Sequence, residues 1–564
     1  MNRRKLYESG TYRREARVTH ASQALRALTL CGVMVAGVSF VGCTPGRGTV
    51  QTGAGGSPGN GGSNDTGGSG SGEGGTNGQG GTVGSGGTVG SGGTTGAGGT
   101  TAAGGNGSGG TVGSGGGGGR ATTTGAGGSA GGVGAGGTTA TGGMMGTGPM
   151  GPCDIYAAAN TPCGAAHSTV RALYSAYTGP LYQVKRSDGM TKDIPVGPSG
   201  FADSSVQDSF CNGSSCTIPI IYDQSPNGNN LHVTWWAYWL QSGGNPASAT
   251  AAKITVGGHT VYGIKNGTNV AYHTGIQLSG TASISKGSAT VTFSNPQTLA
   301  ANSALVFVEN RKDCPSNSFN NGCNIKTYYT TAAISAATTV TLTTSYSGTS
   351  SSSTAVMDET TRGLATGDQA EEEYSVFDGK SYGQYCCFDY GNAEMNGVDE
   401  GHATMEALAW GAITQFGQNG GGNGPWIGAD IEDGIFEGYE NGSAKVPSNT
   451  SVTGFLYVTG LLKGLAAKDC PSGLTSSGCF ALKAGNAGTG KLQWKWNAST
   501  SSYGARPQGW SPQKKQGAII LATGGDGSNT GVGIWFEGAM TLGAPSDAVD
   551  DAIQANIVAA GYPH

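Results

Sequence analysis

The stretch "GAIILATGGDGSNTG" (517–531), followed closely by "GIWFEGAMT" (533–541), indicates the fold class. Each segment contains a short apolar run with β-branched or aromatic residues, and a glycine-rich loop separates the two runs, as expected for two strands joined by a connection. Similar short runs occur earlier in the chain, as "TIPIIYD" (217–223), "KITVGGHTVYGI" (253–264) and "GFLYVTG" (454–460). Many short strands, frequent glycine turns and few helices predict an all-β chain that folds as a β-sandwich.

Two local patterns add detail to this prediction. The "VGGH" break at 256–259 predicts a hairpin, and two segments have helical character, "AAHSTVRALYSAY" (165–177) and "PSDAVDDAIQANIVAA" (545–560). Ser546 or Asp547 could cap the second helix, because a short polar side chain can accept hydrogen bonds from its free N–H groups.

The region from residue 153 to 564 is longer than a single core usually serves. Within it, residues 278–356 are rich in Ser and Thr and contain the runs "ATVTF", "ALVFV" and "TVTLTT". We therefore expect a β-rich insertion at about 278–356 in a larger domain that spans 151–564.

The first 43 residues have the form of an export signal. A basic stretch is followed by the uncharged run "ALTLCGVMVAGVSFVGC" (27–43), which is shorter than the ~20 residues that span a bilayer. Its end, "FVGC", resembles the lipobox of bacterial lipoproteins, in which the cysteine, here Cys43, is lipidated. The alternative is an ordinary signal peptide cleaved nearby. Either reading predicts an exported protein, and the first predicts a cell-surface lipoprotein that meets the membrane only through its lipid.

Residues 44–150 predict a disordered linker. About half of this segment is glycine, and its four charged residues are Arg47, Asp65, Glu73 and Arg120. Such a composition offers too little apolar surface to offset the entropy of ordering.

Charge and cysteine content limit the function further. The net charge is −5 and the region from 153 onward has no basic run, so a nucleic-acid partner is not expected. Cys31 and Cys43 lie in the export segment, and the other ten cysteines favour disulfides in an exported chain. Their spacing is not typical of zinc, so we expect no metal and no cofactor. The close pairs in sequence are 153/163, 211/216, 314/323, 386/387 and 470/479.

Two acidic motifs carry the candidate chemistry. Alternation in "WIGADIED" (426–433) predicts a strand with Asp430 and Glu432 on one face. Asp526 follows two glycines, which would let backbone or ligand approach closely. Two such carboxylates could form a glycosidase pair, although most of the 35 acidic residues must be surface groups. The loop "DGSNTG" could instead be a calcium-binding or plain turn, but it lacks the spacing of an EF-hand.

Several longer motifs carry a family resemblance. The chain resembles the catalytic domain of α-L-arabinofuranosidases of glycoside hydrolase family 54 over most of residues 153–564, with the insertion as the main stretch outside. The motifs are "PCDIYAAANTPCGAAHSTVRALYSAYTGPLYQVKR", "IIYDQSPNGNNL", "CCFDYGNAE", "GPWIGADIED", "GARP" and "GAIILATGGDGSNTG".

The resemblance implies a lectin-like (jelly-roll) β-sandwich and a retaining mechanism. Glu432 would be the nucleophile and Asp526 the general acid/base. Retention requires roughly 5–5.5 Å between the two carboxyl groups, and different environments must hold their pKa values apart.

The resemblance also implies sugar-binding positions at Asp430 and Gly525. Asp433 and Gly434 stand where the family usually has two asparagines, which alters the expected sugar contacts. In the family, the pair equivalent to Cys386 and Cys387 is bonded and forms an apolar platform under the sugar; the alternative is two free or separately bonded thiols. The pairs Cys153–Cys163 and Cys211–Cys216 also match family bridges, whereas Cys314–Cys323 and Cys470–Cys479 rest on spacing alone.

The sequence thus predicts a monomeric exo-acting enzyme that removes arabinose side chains from plant cell-wall arabinoxylan or arabinan. A non-catalytic lectin-like module and a structural surface protein are the alternatives, and the presence of both acidic motifs favours the enzyme. Trp235, Trp236 and Trp239 could line a polysaccharide surface or belong to the core. His167 and His402 are given no chemical role.

Overall fold

The structure is a computed structural model that describes residues 149–313, 325–414, 419–432, 434–436, 445–471, 474, 477–495 and 501–564. The predicted export signal with Cys43, nearly all of the predicted linker, Asp433 and the pair Cys314 and Cys323 lie outside the described residues.

The described chain consists mainly of short strands with three α-helices and two 3₁₀ turns. The helices are α1 (Pro152–Ala158), α2 (Ser204–Cys211) and α3 (Asp547–Ala559), and the 3₁₀ turns are Val308–Asp313 and Ala467–Asp469. The strands up to residue 299 are β1 (Cys163–Ser168), β2 (Pro180–Arg186), β3 (Thr191–Pro195), β4 (Cys216–Ile221), β5 (Leu231–Val233), β6 (Ala247–Ser248), β7 (Lys253–Val256), β8 (His259–Tyr262), β9 (Ile264–Lys265), β10 (Tyr272–His273), β11 (Ile276–Gln277), β12 (Ala282–Ile284) and β13 (Thr290–Leu299). The later strands are β14 (Ala304–Phe307), β15 (Thr327–Tyr329), β16 (Ile334–Thr341), β17 (Ser351–Thr354), β18 (Val356–Asp358), β19 (Glu371–Asp378), β20 (Asp389–Ala393), β21 (Glu406–Gly411), β22 (Asn419–Gly421), β23 (Trp426–Asp430), β24 (Ile435–Phe436), β25 (Lys445–Thr450), β26 (Tyr457–Leu465), β27 (Cys479–Asn486), β28 (Thr489–Trp494), β29 (Gly504–Ala505), β30 (Ala518–Thr523) and β31 (Ile534–Thr541).

Two large antiparallel sheets form a β-sandwich. One sheet runs β1-β31-β19-β26-β27-β28, with β9 paired to β31 and β29 paired to β27. The other runs β24-β23-β21-β20-β30-β10-β5-β4-β2-β3, with β6 paired to β4. This architecture confirms the predicted all-β sandwich, and it places β20, β21, β23 and β30 side by side in one sheet.

Aromatic contacts between the sheets fill the main core. The ring of Phe377 in β19 stacks on Trp410 in β21, with centroids 5.5 Å apart and an interplanar angle of 6°. Tyr390 in β20 packs on Trp535 in β31, also at 5.5 Å. Because these rings are fully buried, they lock the sheet that carries the acidic motifs onto its partner.

The predicted strands and the predicted hairpin are present. Strands β4, β26, β30 and β31 cover the four apolar runs, and β7 pairs with β8 so that Val256 lies opposite His259. The two turn residues, Gly257 and Gly258, have φ values of 56° and 82°, a conformation that glycine adopts without steric cost.

The predicted helix at 165–177 is wrong. Residues Cys163–Ser168 form β1, in which Ala166 pairs with Ala539 of β31, and all six residues of β1 are buried. A strand buried on both faces lacks the period-two alternation that identifies a strand in a sequence.

The second predicted helix is confirmed as α3 and begins where the sequence predicted, although the predicted capping bond is absent. Ser546 occupies the N-cap position without a side-chain capping bond. Asp547 is the first helical residue, and its carboxylate lies 2.7 Å from the Lys483 ammonium instead.

The described residues of the 278–356 region form a β-rich unit, and this unit has a core of its own, which the sequence did not predict. Its strands build two four-stranded sheets, β11-β18-β14-β15 and β16-β13-β12-β17. Buried side chains that include Val291, Phe307 and Tyr346 form a separate apolar cluster between them. A second cluster joins Val306 and Met357 of this unit to Trp236, so the unit rests on the "TWWAYW" segment.

A charged network is buried at the start of β19. Glu371, Glu372 and Glu373 are all fully buried. The Lys515 ammonium lies 2.8 Å from Glu371, and the Lys463 ammonium lies 3.0 Å from Glu372. Burial raises the pKa of Glu371 to about 7 and that of Glu372 to about 8. This network is not predictable from the sequence, since three adjacent acids usually mark a solvated surface.

Four of the predicted disulfides are present. They link Cys153 to Cys163, Cys211 to Cys216, Cys386 to Cys387, and Cys470 to Cys479. Among the described residues, no helix is long and apolar enough to cross a membrane.

Candidate active site

The first acidic motif lies at the end of β23. This strand ends at Asp430, and Glu432 follows with a φ of 65°. The predicted alternation therefore holds only up to Asp430, because Glu432 is no longer in extended backbone. A left-handed conformation at a residue other than glycine costs about 1–3 kcal/mol and is often found at functional sites.

The second acidic motif follows β30 in the same sheet. Asp526 lies in the turn after this strand, and the Ser528 N–H donates to its Oδ1 at 2.9 Å. The two preceding glycines allow close approach, as predicted. A Cβ on Gly524 would lie 3.1 Å from the Cys387 sulfur, and a Cβ on Gly525 would overlap the Glu394 carboxylate.

The fold brings these motifs together and adds a third acid. Oxygen atoms of Glu432, Asp526 and Asp399 all lie within 4.8 Å of one another. Each of the three residues is about 6% exposed, so the carboxylates share a buried site with limited access to solvent. The separation suits two acids that act on one small group.

Burial and neighbouring charges make ionisation of Glu432 unfavourable. Burial is the main cause of its raised pKa, and the nearby acids Glu394, Asp399, Asp526 and Asp430 raise the pKa further. Burial likewise raises the pKa of Glu394 well above its usual value, although the Thr404 hydroxyl donates to its Oε1 at 2.5 Å. The carboxyl groups of the site therefore titrate together, because ionisation of one disfavours ionisation of the others.

Asp430 connects the acidic cluster to the disulfide. Its Oδ2 lies 3.5 Å from the Cys387 sulfur and 3.9 Å from the Cys386 sulfur. Its other oxygen, Oδ1, accepts the Glu432 N–H at 3.2 Å. Asp389 is fully buried, and burial together with the charge of nearby Asp430 raises its pKa. The predicted platform and the predicted sugar-binding acid are therefore in direct contact.

Trp510 contacts the backbone of Glu432 at the edge of the acidic cluster. The indole N–H donates to the Glu432 carbonyl oxygen at 2.6 Å. The indole stacks on His402, with centroids 4.1 Å apart, and meets the Phe436 ring edge-on at 5.0 Å. His402, to which the sequence analysis gave no role, thus supports a residue that touches Glu432.

The remaining predicted positions differ in their surroundings. Gly434 is buried, and its carbonyl oxygen accepts the Ile431 N–H at 3.5 Å. His167 is a buried structural residue that bonds to the Tyr390 hydroxyl and the Asn229 carbonyl. Trp236 belongs to the core. Trp239 is half-buried, and its backbone N–H donates to the Asp526 carbonyl oxygen at 2.9 Å.

In the described part of the chain, two groups of side chains have spacings that a metal ion could use. One contains Asp399, Glu432 and Asp526, and the other contains Asp389 and Asp430 with Cys386 and Cys387. The two sulfurs of the second group are joined in a disulfide, so they offer no thiolate ligands. The first group consists of the candidate catalytic acids with Asp399.

Four functional candidates were missed in the sequence. Asp389 and Glu394 stand in the quoted motif "CCFDYGNAE", where the acids themselves were the available signal. Asp399 and Trp510 lie in connecting segments, and only the three-dimensional arrangement brings them to Glu432.

Comparison with known proteins places this arrangement in a family. The profile of the family described as "Alpha-L-arabinofuranosidase B, catalytic" matches residues 152–300 and 309–563. The chain belongs to this family. The match includes most of the 278–356 unit, so the expectation that this unit lies outside the resemblance is wrong.

Curated relatives of the α-L-arabinofuranosidase B family include fungal proteins. The chain is 38% identical over 419 residues to "Arabinofuranosidase/B-xylosidase" of Trichoderma koningii. This match covers 73% of this chain and 63% of the relative. It is also 38% identical over 420 residues to "Probable alpha-L-arabinofuranosidase B" of Aspergillus flavus, covering 73% of this chain and 62% of the relative. The chain therefore spans less than two thirds of the length of these relatives.

Solved structures of arabinofuranosidases share the fold. One is an arabinofuranosidase complexed with arabinofuranosyl-α-1,2-xylobiose, and another is a GH54 α-L-arabinofuranosidase soaked with a cyclic sulfate inhibitor. Each matches with a TM-score of 0.53 and 34% identity, covering 73% of this chain and 66% of the other.

Proposed function

We propose that this protein is an exported, retaining exo-α-L-arabinofuranosidase that releases terminal arabinofuranosyl groups from arabinoxylan, arabinan or a related hemicellulose. The observation that carries the proposal is the approach of the Glu432 and Asp526 carboxyl oxygens to within 4.8 Å in a buried site. Membership of the α-L-arabinofuranosidase B family supports the choice of sugar, as does the arabinofuranosyl-xylobiose bound by a related enzyme.

The spacing of the acids supports retention. Inverting enzymes hold their carboxyl groups roughly 6.5–9.5 Å apart so that water fits between them, whereas retaining enzymes hold them about 5–5.5 Å apart. In the first step a Glu432 oxygen bonds to the anomeric carbon, the glycosidic bond breaks, and Asp526 gives its proton to the leaving oxygen. In the second step Asp526 takes a proton from water, the water oxygen bonds to the anomeric carbon, and Glu432 leaves.

The crowding of carboxyl groups also serves this chemistry. The transition state resembles an oxocarbenium ion, so positive charge develops on the sugar. Asp399 and Asp430 lie near Glu432 and raise its pKa, and negative charge at such fixed positions stabilises a cation in a site of low polarity.

We assign sugar contacts to Asp430, Gly525 and the Cys386–Cys387 disulfide. The contact between Asp430 and both sulfurs supports one continuous surface of a polar acid and an apolar platform. Gly434 can offer only its backbone, and its carbonyl is bonded to Ile431, while Asp433 would supply an acceptor.

The place of action follows from the first residues of the chain. The basic stretch, the short uncharged run and "FVGC" support export and lipidation at Cys43. Several acyl chains on one cysteine would anchor the protein to a membrane. Replacement of Cys43 by Ser should then move activity from the membrane fraction to soluble material, with an unchanged rate per molecule.

The decisive experiment measures release of p-nitrophenol from its α-L-arabinofuranoside and follows the anomer first formed by NMR. Rapid release with retention of configuration is expected. Binding of arabinan without any release by the parent protein would instead establish the lectin-like alternative, and first formation of the inverted sugar would contradict the assigned roles.

A further inference from the structure

The backbone of Glu432 is held by two side chains from separate parts of the chain. Its N–H donates to Asp430 Oδ1 at 3.2 Å, and its carbonyl oxygen accepts the Trp510 indole N–H at 2.6 Å. Glu432 has a φ of 65°, in the left-handed region. Both of its backbone polar groups are therefore bonded to side chains and not to a neighbouring strand. A conformation of this kind persists only where its surroundings determine it.

Trp510 is itself fixed in place. One contact is the His402 ring, which lies nearly parallel to the indole with an interplanar angle of 16°. Another is the Phe436 ring, which meets the indole at 74° and belongs to β24, paired with β23. The indole is thus braced by the loop after Asp399 and by the strand beside Asp430, so its N–H is directed at the Glu432 carbonyl.

A tryptophan suits this position because its ring nitrogen is a hydrogen-bond donor only. The bond to the carbonyl holds the peptide that follows Glu432, while the Asp430 bond holds the peptide before it. The carboxylate of Glu432 must stay near Asp526 and the sugar during attack, and small displacements of a nucleophile cost rate rather than binding.

We propose that Trp510 is a positioning residue that fixes the left-handed backbone of Glu432 and so aims its carboxylate at the anomeric carbon. This inference rests on the proposed function. Trp510 acts through Glu432, and its effect should therefore fall on the chemical step more than on sugar binding.

The test compares Trp510→Phe with the parent protein. Phenylalanine keeps a ring against His402 and Phe436 but removes the N–H donor. For p-nitrophenyl α-L-arabinofuranoside, kcat should fall about tenfold or more, while KM and the inhibition constant for arabinose change less than threefold. Trp494→Phe is the matched control, because Trp494 is a half-buried tryptophan in β28, and it should retain the parental kcat.

A covalent probe separates this proposal from the proposed function. An arabinofuranose-configured cyclic sulfate is opened when a Glu432 oxygen bonds to its anomeric carbon and the carbon–oxygen bond to sulfate breaks, leaving the sulfate on the sugar. Labelling of Glu432 in the parent and labelling about tenfold slower in Trp510→Phe would support the positioning role. Equal labelling rates would overturn it, and a parent protein that is labelled elsewhere would overturn the function itself.

Loss of the fold in Trp510→Phe would be detected by thermal unfolding. If Trp510→Phe does not fold, a protein with benzothienylalanine at position 510 is tested in its place. The sulfur of this residue keeps the shape of the indole and removes only the N–H. Parental kcat in that protein would overturn the proposal, and a tenfold lower kcat with parental melting temperature would support it.

Discussion

Asp399 and Glu432 bring carboxyl oxygens within 4.8 Å of each other, and the charge of Asp399 raises the pKa of Glu432. A nucleophile must be ionised, so activity should fall as the pH drops through this raised pKa. Asp399→Asn removes one negative charge and keeps an oxygen for the Gly401 N–H, which Asp399 accepts at 2.6 Å. The acid limb of the profile of kcat/KM against pH should move about one unit lower.

Asp188→Asn is the control for this shift. Asp188 also accepts an N–H two residues ahead, from Met190 at 3.1 Å, but lies on an exposed turn. An acid limb that stays in place in Asp399→Asn would show that this carboxylate does not set the ionisation of Glu432.

Glu432→Gln should abolish turnover and stabilise the fold at neutral pH. The amide is not a nucleophile, so activity should fall at least about a thousandfold. Burial raises the folded-state pKa of Glu432 above 4.5, so the parent loses stability as the pH rises from about 4.5 towards that pKa. The variant should melt a few degrees higher at pH 7 and equally at pH 4. If the variant and the parent have the same melting temperature at pH 7 as well as at pH 4, the raised pKa is contradicted.

Asp526→Asn should affect natural substrates most. A poor leaving group needs the proton of Asp526, whereas p-nitrophenol leaves with little assistance. Added azide should restore turnover of the activated substrate, because azide attacks the glycosyl-enzyme in place of water and gives an α-L-arabinofuranosyl azide with retained configuration. Equal losses on oligosaccharide and p-nitrophenyl substrates, without any effect of azide, would exclude Asp526 as the acid/base.

Replacement of both Cys386 and Cys387 by serine should weaken sugar binding. The disulfide sulfurs lie against Asp430, so the change removes an apolar surface beside the acid. KM should rise about tenfold, a loss of about 1.4 kcal/mol, with a smaller change in kcat. Peptide mapping of the unreduced parent should find the two cysteines linked to each other, and two free thiols would contradict this account.

Lys515→Met should destabilise the sandwich without changing the catalytic groups. Its ammonium lies 2.8 Å from Glu371 and 3.2 Å from Glu406, all fully buried, and loss of one partner from a buried ion pair costs about 3–5 kcal/mol. The loss should grow as the pH rises, because the charge that Glu371 takes up on deprotonation would no longer face the Lys515 ammonium. Lys514→Met, at the exposed neighbour, should unfold in denaturant like the parent.

The sequence predicted the features that depend on local pattern. Apolar runs identified β4, β26, β30 and β31, and the glycine pair identified the hairpin at Gly257 and Gly258. The resemblance selected Glu432 and Asp526, and the fold brings them together.

The features that the sequence did not predict depend on long-range packing. All six residues of strand β1, which pairs with β31, are buried, and this burial erases the alternation of a half-exposed strand. Glu432 leaves extended backbone because side chains far along the chain hold its peptide groups. The adjacent glutamates of β19 are buried because Lys463 and Lys515 come from other strands and segments to meet them.

The 278–356 unit leaves and rejoins the sandwich at a single neck, where Ile276 of β11 pairs with Asp358 of β18. Antiparallel partners lie about 4.5–5.5 Å apart, a gap that a hairpin turn spans. The unit could therefore be replaced at this neck by a short turn or by another domain. The entropic cost of closing a loop rises only slowly with the length of the inserted chain. The constraint lies elsewhere: Trp236 packs against Val306 and Met357, so any domain grafted at this neck must bring its own apolar cover for that indole.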